Sequence, residues 1–307
     1  MVDLFPPNIT NFAIIDKLAG RGGMSDVYIC ENDNFVAKKL HLYTVFPWLE
    51  LYIMQSEHLE HENLTRGKVR VKDDGIYIYQ KKAQGDLKLF ENVALDYEDI
   101  TEIMYQIVSG LLFLHEKGFI HCDLKPSNVL VFSQEPLHVK ISDFGLSTKY
   151  NWYHQEQIGS ERYRAPETEK EGWDEKVDIW GLGQILFFLL TKEHYTGSWR
   201  QDEEKASFWY QMCRWMLQPD PKDRMSVEDL AVEMGLPFRP PAPCTNESKL
   251  NEAVHRVFKE MKAKGSAKGV YMHIAKEMVL RHEMPSSYPK CLQEIKAMNA
   301  IVNSIEI

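Results

Sequence analysis

The chain has 307 residues, 44% of them hydrophobic, and a net charge of −9 with a pI near 5.7. That length supports a large folded core with an appendage. The acidic balance leaves no broad basic field, which makes nucleic acid and an anionic membrane poor candidates as the main partner. Five cysteines, at positions 30, 122, 213, 244 and 291, form no Cys-x-x-Cys pair. This argues for reduced thiols and against a zinc site. The start, Met1 to Pro7, lacks the basic and apolar regions of a secretory signal. The scattered cysteines make a cytoplasmic or nuclear setting the expectation.

In chain order, Phe12-Ala13-Ile14-Ile15 and Val27-Tyr28-Ile29-Cys30 read as strands. Between them lies Gly20-Arg21-Gly22-Gly23-Met24-Ser25-Asp26. Such a segment brings backbone N–H groups close to phosphates, although glycines between strands also serve simple hairpins. Val36-Ala37-Lys38-Lys39-Leu40 reads as a third strand, and Glu50-Leu51-Tyr52-Ile53-Met54 as helix. Ile76-Tyr77-Ile78-Tyr79-Gln80 is a strand that leads into a connector, Lys81-Lys82-Ala83-Gln84-Gly85.

Three short apolar runs follow: Gly118-Phe119-Ile120, Val129-Leu130-Val131-Phe132 and Val139-Lys140-Ile141. They frame two polar loops. One is His121-Cys122-Asp123-Leu124-Lys125-Pro126-Ser127-Asn128; the other opens at Asp143-Phe144-Gly145, fifteen residues after Asn128. A lone Asp or Asn usually marks a turn or a helix cap. Here four polar residues recur at set spacing, each between apolar runs, and a turn explains none of that pattern. Asp178 to Leu190 is apolar all round after its first residue. It is too short to span a bilayer, so a buried helix is expected.

Pro237-Phe238-Arg239-Pro240-Pro241-Ala242-Pro243 cannot continue a helix and reads as a stiff linker. Beyond it, apolar residues recur at helical spacing in three sets: Leu250, Val254, Val257, Phe258 and Met261; Val270, Ile274 and Met278; Leu292, Ile295, Met298 and Val302. Three amphipathic helices are expected. They would pack on the body or offer a surface to a regulatory partner.

These loops, followed by Ala165-Pro166-Glu167, resemble the phosphoryl-transfer centre of eukaryotic-type Ser/Thr protein kinases over about residues 10 to 236. The resemblance implies an α+β, bilobal protein-kinase-like fold with a C-terminal helical extension. The expected divisions are a small β-rich N-lobe and hinge over 1–83, a helical C-lobe over 84–236, the linker over 237–247 and the extension over 248–307. It also implies ATP and Mg²⁺ as cofactors and a protein as substrate.

By the same resemblance, Asp123 is the base near the acceptor hydroxyl, and Lys125 reaches the γ-phosphate. Asn128 and Asp143 are the oxygen ligands for Mg²⁺. Gly145 is expected to turn the chain sharply after the metal ligand. Gly20, Gly22 and Ser25 lie over the phosphates; Val27, Val36 and Leu130 enclose the adenine. Gln80 is the gatekeeper, and Lys81 to Ala83 form the hinge.

A lysine on the third strand contacts the α- and β-phosphates. An Ala-x-Lys match selects Lys39, whereas matching Phe35 to Leu40 onto Val-Ala-Leu-Lys-Lys-Ile selects Lys38. Lys38 is preferred because Leu40 then shares its strand face. Glu50 is the expected partner of that lysine, with Glu57 the alternative.

Two departures from the family pattern agree. Cys122 stands where an arginine usually precedes the catalytic aspartate and pairs with a phosphate on the activation segment. The middle of that segment, Trp152 to Ile158, contains no Ser or Thr. Activity without activation-segment phosphorylation is expected. Ser160 stands where Ser/Thr-specific members carry a hydroxyl that meets the aspartate and lysine. Glu167 is expected to pair with Arg224 as a buried brace. The rival readings are a pseudokinase scaffold, which requires a broken lysine, base or metal ligand, and a small-molecule kinase on the same fold.

Overall fold

A computed structural model describes residues 12–21, 25–41, 47–72, 74–150, 158–170, 172–197 and 208–236. The expected linker and C-terminal helices, with Gly22 and most of 151–158, lie outside the described residues.

Five strands form an antiparallel sheet in the order β1-β2-β3-β5-β4. They are β1 (Ile14–Arg21), β2 (Ser25–Cys30), β3 (Phe35–Leu40), β4 (Lys68–Lys72) and β5 (Gly75–Lys81). The first strand begins later than the apolar run suggests and carries through Gly20, which pairs with Val27.

Alternation gives the sheet two different faces. Ala37 and Tyr79 are paired neighbours, and with Cys30, Phe35 and Tyr77 they form a small outer cluster. Lys38 pairs with Ile78 on the opposite face, where Leu40, Ile76 and Ile78 join the main core with helix α1 (Pro47–Gln55).

The second lobe is built around two long helices. Helix α2 (Tyr97–Glu116) opens with a reciprocal cap between Asp96 and Asp99 and buries Ile100, Ile103, Met104 and Ile107. Helix α3 (Lys176–Thr191) is buried nearly all round, from Val177 to Leu189. Among the described residues no helix is long and apolar enough to cross a membrane. Helices α4 (Phe208–Met216) and α5 (Val227–Glu233) pack on α3 and α2 respectively.

Short strands carry the loops between the lobes. Strands β6 (Gly85–Asp86), β8 (Val129–Gln134) and β9 (Leu137–Ile141) form one sheet; β7 (Phe119–Ile120) pairs with β10 (Thr148–Lys149). Close packing sets these loops on the helical base. A Cβ on Gly181 of α3 would lie 2.7 Å from the Leu124 carbonyl oxygen, so only glycine admits that loop. The expected brace is present: Arg224, 2% exposed, reaches Glu167 Oε1 at 2.5 Å and Oε2 at 3.0 Å.

Candidate active site

The Asp123 loop hangs from β7 and is tied to α3 from beneath. Asp178, in the first turn of α3, accepts from the backbone N–H of His121 and of Cys122, each at 2.7 Å. His115 Nε2 lies 2.9 Å from the same carboxylate. His121 Nε2 donates to the Ser142 carbonyl at 2.9 Å, while its Nδ1 accepts from the Asp123 N–H at 3.2 Å. One imidazole thus links the two polar loops. Cys122 has φ of 68° and Asp143 φ of 65°. Two of the three left-handed non-glycine residues among those described therefore sit in these loops, where such backbone cost is retained for function. The sharp turn expected at Gly145 falls on Asp143 itself. Gly145 lies buried in the 3₁₀ turn Phe144–Leu146.

Asp123 is 5% exposed and is gripped by donors on both oxygens. Oδ2 accepts from Lys125 Nζ at 2.6 Å and from Asn128 Nδ2 at 3.0 Å; Oδ1 accepts from the Ser160 N–H at 2.8 Å. Lys125 also donates to Ser160 Oγ at 2.5 Å. The Asn128 amide nitrogen is held again by the Asp123 carbonyl at 2.8 Å, which turns the amide so that its oxygen is the atom on offer to a cation.

Across the cleft, Lys38 Nζ meets Glu50 Oε1 at 2.5 Å and Asp143 Oδ1 at 2.7 Å. Burial alone would pull the Lys38 ammonium down; the two carboxylates outweigh it and hold it above the usual lysine range. Burial pushes the Glu50 carboxyl up against the pull of Lys38. Burial also opposes the charge of Asp143, but Lys38, with His121 and Lys125 beyond it, brings its carboxyl below the ordinary value of 3.8. Of the two acids, Asp143 is the one held below its ordinary value, and its side chain is still 31% exposed to the cleft.

Lys39 points the other way and pairs with Asp74 at 2.7 Å on the outer face. Glu57 lies beyond the end of α1, in the 3₁₀ turn Glu57–Leu59.

The roof and rear wall of the cleft come from β2, β3 and β5. Val27 lies opposite Lys38 and Val36 opposite Gln80 in the sheet. Val36 and Gln80 are buried, and Val27 and Leu130 are partly exposed. Ser25 is buried, whereas Gly20 is exposed with open space beside it. In the connector the Lys82 N–H donates to Asn34 and the Gln84 N–H to Val131, both at 2.8 Å, with Ala83 between them.

Asp178, His115 and Gly159 are the positioning residues that sequence reasoning passed over. The signal for Asp178 was a carboxylate opening an otherwise apolar helix. Gly159 has φ of +90°, and a Cβ there would lie 2.7 Å from the Cys122 carbonyl oxygen.

The family model for the protein kinase domain matches residues 13–234, more than half of the chain. Calcium-dependent protein kinase 4 of Plasmodium berghei is 29% identical over 196 residues, which cover 57% of this chain and 36% of that protein. The serine/threonine-protein kinase cds1 of Schizosaccharomyces pombe is 36% identical over 132 residues, covering 39% and 28%. Mitogen-activated protein kinase kinase kinase 3 of Arabidopsis thaliana is 33% identical over 205 residues, covering 61% and 36%. The matches thus span only 28% to 36% of these relatives' own lengths. With the bilobal fold, the ion-paired lysine and the aspartate loop on one cleft, the chain belongs to the protein kinase family.

Proposed function

We propose that this chain transfers the γ-phosphate of Mg-ATP to serine or threonine hydroxyls of protein substrates, with no phosphate required on its activation segment. The observation that carries the reading is the position of Lys38 Nζ, bonded to both Glu50 and Asp143 across the interlobe cleft. Phosphoryl transfer needs that pair and the metal-binding aspartate in place together. A pseudokinase scaffold has no need of either.

In this mechanism Asp123 orients the acceptor hydroxyl, its carboxylate held by Lys125, Asn128 and the Ser160 backbone N–H. The bond from the hydroxyl oxygen to the γ-phosphorus forms as the bond to the β,γ-bridging oxygen breaks, and the hydroxyl proton passes to Asp123. Lys125 balances charge on the moving phosphoryl group. Lys38 orients the α- and β-phosphates, and Glu50 holds Lys38. The hinge donor for adenine is the Ala83 N–H, flanked by two N–H groups already bonded; Lys81 and Gln80 form the wall beside it. Val27, Val36 and Leu130 enclose the ring, with Gly20, Gly22 and Ser25 over the phosphates.

Asp143 and Asn128 would hold Mg²⁺. Two protein oxygens fit this ion, which binds through one or two carboxylates plus phosphates and keeps several waters. When bound, magnesium neutralises the phosphate oxygens.

Two features support independence from activation-segment phosphate. Cys122, buried, offers no cation for a phosphate. Ser160 is already fixed to Asp123 and Lys125 through its own N–H and hydroxyl. The same Ser160 geometry supports Ser/Thr over Tyr acceptors. Cys30, Cys122 and Cys213 are buried and outside any disulfide, which supports a reducing, cytoplasmic or nuclear, setting.

The test is phosphoamino-acid analysis of a generic protein incubated with labelled ATP, magnesium and phosphatase-treated enzyme. Label on serine or threonine is expected. Label on tyrosine alone, or only on small-molecule acceptors, overturns the reading.

A further inference from the structure

The outer face of the N-lobe sheet carries a second ordered charge pattern that the proposed chemistry does not use. The edge strand β4 reads Lys68-Val69-Arg70-Val71-Lys72, so its three cations share one face at a spacing of roughly 6.8 Å. Their partners across the ladder are Tyr79, Tyr77 and Gly75. Lys72 Nζ lies 4.8 Å from the Tyr77 ring centroid and 5.6 Å from that of Tyr79. Lys39, in the next strand, lies 5.4 Å from Tyr77 on the same face. Asp74 clamps that corner, bonding Lys39 at 2.7 Å and the Tyr77 hydroxyl at 2.6 Å. The tyrosine faces hold the Lys72 and Lys39 ammonium groups in place by cation–π attraction, which lowers the ordering a ligand must impose at that end of the strand.

Lysines on an edge strand often serve only to block unwanted strand pairing. That accounts for Lys68 and Lys72. It does not account for Lys39 on an interior strand, nor for an aromatic bed beneath the cations.

We propose that β4 is a docking edge for an extended acidic segment of a partner protein, with Asp or Glu at every second residue. Such a segment added beside β4 would pair with the backbone groups that β4 turns away from β5 and set its carboxylates opposite Lys68, Arg70 and Lys72. Among the described residues no strand covers this edge. A second copy of the chain is a poor occupant, since β4 against β4 puts like charges opposite each other. The chain's own C-terminal extension is another poor occupant. Residues 248–307 carry ten Lys and Arg against six Glu. The remainder of the chain is strongly acidic, so this basic face also orients an approaching acidic partner.

The test uses the full chain and fluorescent peptides, read by anisotropy. One peptide alternates Glu and Thr; a second has the same composition with the Glu residues in one block; a third alternates but is N-methylated along one edge. The alternating peptide is expected to bind about tenfold more tightly than either of the others, a difference within reach of three opposed charge pairs. Arg70→Glu is expected to remove that preference while leaving phosphate transfer to a generic substrate unchanged. Equal binding of all three peptides shows charge attraction alone and overturns the proposal. So does an undiminished preference in Arg70→Glu, or tighter binding to anionic vesicles or single-stranded DNA than to the alternating peptide.

Discussion

The backbone N–H of Cys122 donates to Oδ1 of Asp178 at 2.7 Å, 56 residues away along the chain. Asp178 is 1% exposed, and its other oxygen takes the N–H of His121. The loop that presents Asp123 is thus fixed from below by one buried carboxylate. Replacing it with Asp178→Asn turns one acceptor into a donor facing N–H groups. The expected cost is about 2–3 kcal/mol of stability in urea unfolding. Phosphate transfer should fall further than that loss of folded protein explains.

Gly159 touches the same loop from the other side. Its φ of +90° and the 2.7 Å approach to the Cys122 carbonyl leave no room for a methyl group. In Gly159→Ala the relaxation should move Ser160 off Asp123 and slow transfer by about tenfold, in line with backbone strain of order 1–3 kcal/mol. ATP affinity, measured separately by titration, should stay within about twofold, because the nucleotide wall is built from other strands. An unchanged transfer rate would show that Ser160 does not depend on this contact.

The buried brace of the second lobe makes a stability prediction. Arg224 also donates to the carbonyls of Lys176 and Gln218, so its guanidinium cannot leave the interior when its acid is removed. Glu167→Ala should cost about 3–5 kcal/mol in denaturant unfolding. Glu167→Gln, which keeps an acceptor, should cost clearly less. Equal losses in the two variants would contradict a charge-paired brace.

The acid behaviour of the cleft follows from Asp143. Its folded carboxyl lies below 3.8, so the stability its charge contributes is complete above that value and is lost as pH falls through the folded one. The stability difference between the parent and Asp143→Asn should therefore be largest near neutral pH and shrink below pH 3.8. Glu50, pushed up by burial, works in the opposite direction. A difference independent of pH would argue against the Lys38–Asp143 pair.

Much of this arrangement was legible in local pattern. Alternation in β3 set Lys38 and Leu40 on one face, and apolar runs marked the strands that frame both polar loops. Local pattern favoured Lys38 but left Lys39 open, because each is a lysine in a strand. Asp74 and Tyr77 make the separation by drawing Lys39 outward, and that contact is tertiary. Nor could it place the strained turn on Asp143 instead of Gly145, since glycine is the ordinary choice for positive φ. The burden carried by Asp178 depends on partners 56 to 63 residues distant, which spacing does not reveal.

The most direct measurement is transfer of labelled phosphate from Mg-ATP to a generic protein by four phosphatase-treated enzymes: the parent, Asp143→Ala, Lys38→Arg and Lys39→Arg. The account predicts transfer by the parent and by Lys39→Arg, with loss of at least about a hundredfold in the other two, the scale of removing a preorganised charge from the transition state. Transfer that survives in Asp143→Ala, or that is lost in Lys39→Arg but kept in Lys38→Arg, would contradict it.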